Sequence, residues 1–227
     1  MILNLGDLVM KSIYISYLAP KNIINYIKNS GCNIHLVPSG GRTYHAVDSH
    51  PDIYFCKMGV TEHPYIFRGN PAEIGAAYPQ NIKFNAVCLD RYFIHNIKYT
   101  SPALLSEARE TGLEFINVNQ GYTKCSCVVV DGHSIITSDE GIYRALNRYS
   151  DIETLKIRAG FVNLEGFDYG FLGGASGRIG NEIIFSGNLS AHPDYSSISQ
   201  FIEARGLAVK YFPEYPLTDI GSILTDF

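Results

Sequence analysis

FSGNLSAHPDYSSISQFIEARGLAVKYF, residues 185–212, reads as one complete supersecondary unit. Ile183, Ile184 and Phe185 form an apolar strand that Gly187 and Asn188 break. Ser190 and Asp194 offer side-chain oxygens of the kind that satisfy the unpaired N–H groups of a first helical turn. Ile198, Phe201 and Ile202 recur at helical spacing and make one apolar stripe. Gly206 stands where a left-handed C-cap is expected, and Leu207, Val209 and Tyr211 then alternate as a second strand. A unit this small cannot bury its own stripe, so it needs neighbours of the same kind.

The same order of parts recurs along the chain. Residues 12–37 give a strand, a helix starting near Pro20 and a returning strand. Residues 53–84 are a degraded copy, with a short helix expected after Pro71 and a strand at 82–84. Residues 86–118 supply two strands, a helix starting near Ser101 and a third strand, and residues 125–157 repeat this with a helix near Ser138. Residues 171–212 complete the set. The expectation is a single α/β domain of five ββαβ modules. The final segment, 217–227, reads as a lone strand that pairs with the first module and closes a ring, which abolishes free sheet edges. Alternation of β and α also allows an open, doubly wound sheet. Paired strands before several helices favour closure instead, as does the lack of G-x-G-x-x-G after the first strand.

Composition narrows the function classes. With 227 residues, 46% of them apolar, the chain can bury a sizeable core. A net charge of −4 leaves no basic footprint for nucleic acid. No apolar run is long enough to span a membrane, and the opening MILNLGDLVMKS lacks the basic start of a signal peptide. Five cysteines without a scaffold spacing fit reduced thiols in a cytoplasm. No cofactor is expected, and a homodimer is left open.

The five-module pattern resembles the pentein family of five-bladed β/α propellers. That family includes arginine deiminases, dimethylarginine hydrolases and amidinotransferases, and also a non-catalytic ribosome anti-association factor. The resemblance covers nearly the whole chain and lies in module order. It implies inner strands around a central polar site. In the catalytic members a cysteine after a C-terminal glycine turn attacks a guanidinium carbon, a histidine relays protons and carboxylates grip the cation. Here that segment carries Asp219 and Ser222, and no cysteine follows Cys127. A serine without a base is a weaker nucleophile than a thiolate.

Four connections hold the candidate residues. Residues 39–52 pack Arg42, His45, Asp48, His50 and Asp52 into one loop. Arg42 suits carboxylate or phosphate recognition, and His45 with Asp48 suits proton transfer. The same loop also reads as solvated, with Asp48 and Asp52 shaping turns, or as a metal site of His45, Asp48 and His50. Residues 117–127 bring Asn119, Lys124, Cys125 and Cys127; on a strand the two thiols share one face. Cys125, beside Lys124, is the expected nucleophile, against the plainer reading of two buried small hydrophobes. Residues 170–178 end on Arg178, a candidate anion contact. His192 and Asp194 read first as helix-start residues, and His35 and His95 as satisfied core histidines. The expected assignment is therefore Cys125, His45 and Asp48 as catalytic. Arg42, Asn119, Lys124, Arg178, Asp219 and Ser222 contact a small guanidino or amide substrate. The alternative is a non-catalytic pentein that binds a ligand or a protein.

Overall fold

The computed structural model describes residues 11–61 and 63–227, so the reading of the first ten residues lies outside them. The protein is mixed α/β, with five small sheets and five helices among the described residues. The first sheet joins β1 (Ser12–Ser16) to β2 (Asn33–Val37) in parallel through α1 (Lys21–Lys28). The second is a hairpin of β3 (Phe55–Met58) and β4 (Tyr65–Arg68), preceded by the single turn α2 (Pro51–Tyr54).

The other three repeat one plan. In the third, β5 (Val87–Cys88) is antiparallel to β6 (Tyr92–His95). β6 leads through α3 (Pro102–Glu110) to parallel β7 (Glu114–Asn117). The fourth comprises β8 (Cys127–Val129), β9 (Ser134–Thr137), α4 (Glu140–Leu146) and β10 (Glu153–Lys156). The fifth comprises β11 (Ser176–Ile179), β12 (Glu182–Phe185), α5 (Tyr195–Glu203) and β13 (Ala208–Lys210). The last strand, β14 (Leu224–Thr225), pairs antiparallel with β1, so the end of the chain completes the first sheet.

Apolar periodicity decides which helical face is buried. Ile198 and Ile202 of α5 pack in one cluster with Ile183 and Phe185 of β12. Ile23 and Ile27 of α1 pack with Ile13 and Ile15 of β1. Each helix thus removes its stripe from water against the strands it connects, the dominant stabilising term for such units.

Four local expectations are corrected. The helix expected after Pro71 is a single 3-10 turn, Pro71–Glu73, capped by the Asn70 side chain on Ala72 N. Beyond it the Gly75 N–H donates to the carbonyl of Gln80, not back into a helix, and Pro79 has no N–H to offer. The strand expected at 82–84 is absent, which leaves the second sheet two-stranded. Cys125 lies in a turn closed by Ser126 N donating to Tyr122 O, so Cys125 and Cys127 do not share a strand face. Asp194 does not cap α5 with its side chain; its carboxylate is taken by Arg158, whose Nη2 lies 2.6 Å from Oδ1.

His95 is the satisfied core histidine the sequence suggests. One ring nitrogen lies 2.7 Å from Thr100 Oγ1 and the other 3.0 Å from the Gly121 carbonyl. Burial, partly offset by the Gly121 bond, lowers its pKa from 6.5 to about 4. Between those values the unfolded chain binds a proton that the folded chain refuses. Stability contributed by neutral His95 is therefore complete above the unfolded value and is lost as pH falls towards about 4. Urea unfolding measured across that window is expected to show this group costing about 3 kcal/mol at the acid end. A His95→Gln variant should lose correspondingly less over the same window; an identical slope would rule the histidine out as the cause.

Candidate functional site

Three segments distant in sequence converge around Cys125. The first is Ser49–Tyr54. His50 precedes Pro51 and is extended (φ −70°, ψ 122°), the conformation a following proline favours. Pro51 then starts the single turn α2, which carries the fully buried Asp52 inward. The second is the turn of residues 122–126. Buried Asn85 fixes it: its Oδ1 accepts from Lys124 N at 2.8 Å and Cys125 N at 3.2 Å, and its Nδ2 donates to Cys125 Sγ at 3.4 Å. The third is Asp219–Ser222. Here Ile220 N and Ser222 N both donate to Gly174 O, while Gly174 N donates to Cys125 O.

Within this frame the Cys125 thiol donates to Asp52 Oδ2 at 3.0 Å, and the Ser222 hydroxyl lies 2.7 Å from the same oxygen. Lys124 Nζ donates to Ser222 Oγ at 3.0 Å, so an ammonium, a hydroxyl, a carboxylate and a thiol form one chain. Ser222 sits at φ 69°, a left-handed conformation that costs a non-glycine residue on the order of 1–3 kcal/mol. The bonds to Gly174 and Asp52 hold it there. Asp219 takes the N–H groups of Phe171 and Gly221, and its Oδ1 lies 3.7 Å from His50 Nδ1. Two buried atoms of this centre, His50 Nδ1 and Asp52 Oδ1, have no hydrogen-bond partner among the described residues. Unpaired polar atoms at such depth are costly and mark places where a ligand completes the bonding.

Electrostatics keep the site protonated at sulfur. Burial first, then the charges of Asp52 and Asp219, raise the Cys125 thiol well above its ordinary value. Burial likewise raises Asp52, against the opposing pull of His50, Cys125 and Ser222. A neighbouring lysine does not make this thiol acidic, contrary to the reading of Lys124 from sequence.

Cys125, His50 and Asp219 open onto a pocket of about 320 Å³. Tyr122, Phe167, Tyr169 and Phe171 supply aromatic walls, and Asp168 adds a further carboxylate. Aromatic faces with carboxylates suit a planar cation. Ligand atoms of His50, Cys125 and Asp219 all lie within 4.8 Å of one another, so this trio could also hold a metal ion.

The other expected site residues divide. Asp219 belongs to the pocket, and Ser222 and Lys124 stand behind it through Asp52. Asp48 does not enter: its carboxylate accepts from Ser39 Oγ and the N–H groups of Gly41, Arg42 and Thr43. Burial alone would raise it, but those bonds prevail and hold its pKa at about 2. It staples its own loop, away from the pocket. Arg42, His45 and Asn119 are exposed and line no wall of the pocket. Arg178 lies in a separate cavity with Lys57. The metal set His45, Asp48 and His50 is not assembled; only His50 takes part in a clustered trio. Of the two histidines in the 39–52 loop, the structure brings His50 and not His45 to the pocket. Its sequence signal was His-Pro-Asp opening the apolar run Ile53–Met58. Asn85 carried no signal.

Fold and site together define a mixed α/β protein with a buried thiol–imidazole–carboxylate centre. Residues 62–224 match the family of unknown function DUF6873, which is more than half of the chain, and the protein belongs to that family. Cys125, Asp219 and Ser222 fall inside the matched region, whereas His50 and Asp52 precede it. No curated protein and no solved structure matches the chain.

Proposed function

We propose that this chain is a five-bladed pentein-like propeller whose Cys125 attacks small cationic guanidino or amidine compounds, as a hydrolase or transferase. The observation that carries the reading is the meeting of the Cys125 thiol, the His50 imidazole and the Asp219 carboxylate within 4.8 Å at an aromatic-walled pocket. Five sheets, each lending one strand to a single cavity, and β14 closing onto β1 support the propeller. All five cysteines are free, which supports a reducing cytoplasmic setting.

The chemistry follows from charge. A bound cation lying on Asp219 offsets the negative charges that hold the thiol protonated, so substrate itself lowers the Cys125 pKa. The proton passes to His50, and sulfur forms a bond to the guanidinium carbon. His50 returns the proton to the departing nitrogen as the C–N bond breaks, releasing an amine and leaving a thiouronium. Water, or an acceptor amine in a transferase, then attacks that carbon and restores the thiol. Cys125 takes the role that the resemblance implies for a C-terminal cysteine, while Ser222 orients Asp52.

A matched pair of reagents tests this: cationic 2-chloroacetamidine and neutral 2-chloroacetamide, each alkylating sulfur with loss of chloride. Relative to a free thiol, Cys125 is expected to prefer the cation by about 100-fold at neutral pH, and Asp219→Asn should remove that preference. A ratio no greater than that of free cysteine refutes the enzyme reading and leaves a non-catalytic binder. The unpartnered His50 Nδ1 favours one second reading, a Zn²⁺ site of His50, Cys125 and Asp219. Stoichiometric zinc in purified protein, lost in His50→Gln, would decide for it.

A further inference from the structure

Three sulfur atoms meet in the core between the second and third sheets. Cys56 and Met58 stand two residues apart on β3, so they share one face of the strand, and both are buried. Cys88, buried on β5, reaches them from the neighbouring sheet. Its Sγ lies 3.8 Å from Cys56 Sγ and 3.5 Å from Met58 Sδ. Nearby oxygens are weak partners: Cys56 Sγ is 3.6 Å from the Ala86 carbonyl and 3.7 Å from that of Lys57. Phe84, Ala86, Phe93 and Leu224 belong to the same apolar cluster.

Two buried thiols alone read as small core hydrophobes. A thioether set against them makes three soft donors. At ~2.3 Å from each sulfur, the usual thiolate–metal distance, the 3.8 Å and 3.5 Å separations subtend about 110° and about 100° at a common centre. An ion therefore fits with little movement of the strands. Zinc and iron–sulfur sites take four donors in a tetrahedron. Among the described residues no histidine, carboxylate or third cysteine completes such a set here. Thiolates with a thioether instead select the soft ion Cu(I), and the apolar shell shields it from water. Cys88 lines a narrow cavity of about 40 Å³ and Met58 another of about 270 Å³, so space borders the cluster on two sides. We propose that Cys56, Cys88 and Met58 bind one Cu(I) ion. Each thiol releases its proton to solvent as its sulfur–copper bond forms, so binding frees two protons, and the thioether joins as a neutral donor. The site does not depend on any reaction at Cys125.

The test titrates the whole reduced chain with Cu(I) under nitrogen, in competition with the coloured Cu(I) chelator bathocuproine disulfonate. The unsubstituted protein should withhold one equivalent of copper, and X-ray absorption at copper should show three sulfur neighbours without nitrogen or oxygen. Cys88→Ala, or Cys56→Ala should that variant misfold, is expected to weaken retention at least ~100-fold, the upper end of what losing an outer support of a metal site costs. Met58→Leu conserves volume, so it should keep the fold while the sulfur count falls from three to two. Cys125→Ser should hold copper as tightly as the unsubstituted chain. Copper surrendered wholly to the chelator would overturn the proposal. So would retention unchanged by the cysteine variant, a sulfur count unchanged by Met58→Leu, or copper lost in Cys125→Ser. Retention is read without substrate and in a chain lacking the Cys125 thiol, so its failure is distinct from failure of the Cys125 reading.

Discussion

Iodoacetamide is expected to alkylate Cys125 at least ~10-fold faster at pH 8 in an Asp52→Asn variant than in the unsubstituted protein. Asp52 Oδ2 accepts the thiol proton at 3.0 Å, and its charge is the second cause, after burial, of the raised thiol pKa. Only the thiolate reacts, and below the pKa each unit of lowering multiplies the thiolate fraction tenfold. Asparagine preserves shape and still accepts from Ser222, so the gain reads the charge and not a collapse of the site. Partly exposed Cys32, which shares no hydrogen bond with this network, is the internal reference and should label equally in both proteins. An unchanged Cys125 rate would show that the Asp52 charge does not govern the thiol. Substrate-assisted activation would fall with it.

A Gly221→Ala variant should lose about 2–5 kcal/mol of stability in urea unfolding. Gly221 adopts φ +79°, which costs an L-residue ~1–2 kcal/mol. A methyl group there would also stand 2.0 Å from His50 Cβ and 2.3 Å from His50 Cα. Because backbone as well as side chain is struck, the neighbour cannot swing clear, and such overpacking adds ~1–3 kcal/mol. Gly41 separates the two effects: its φ is +65°, but nothing lies within 4 Å of the would-be Cβ. Gly41→Ala should therefore show the conformational cost alone. Equal losses at the two positions would mean that the approach of residues 219–222 to His50 is loose, contrary to the geometry of the site.

Much of the local architecture was legible along the chain. The units at 12–37, 86–118, 125–157 and 171–212 each contain their expected helix, because stripe, start and stop signals lie within one turn of each other. The last strand does pair with the first, as the reading of residues 217–227 as a lone strand expected. Failure came where polar bonding overruled pattern. Residues 71–84 carry apolar spacing, yet the Asn70 cap and the Gly75–Gln80 bond turn the chain away from helix. Cys125 sits in a turn because buried Asn85, forty residues away, holds its backbone.

Sequence alone determined that residues 39–52, Cys125 and the Asp219–Ser222 segment carry the chemistry-bearing groups, since residue type and glycine-rich connections are local facts. Only the tertiary structure decided which of them meet. Asp48 was spent on its own loop, His45 and Arg42 turned to solvent, and His50 with Asp52 turned inward beside the thiol. The physical reason is that burial and hydrogen-bond partnership are set by packing between segments far apart in the chain. Those two quantities, more than residue type, fix whether a carboxylate staples a loop or works on a neighbour's proton.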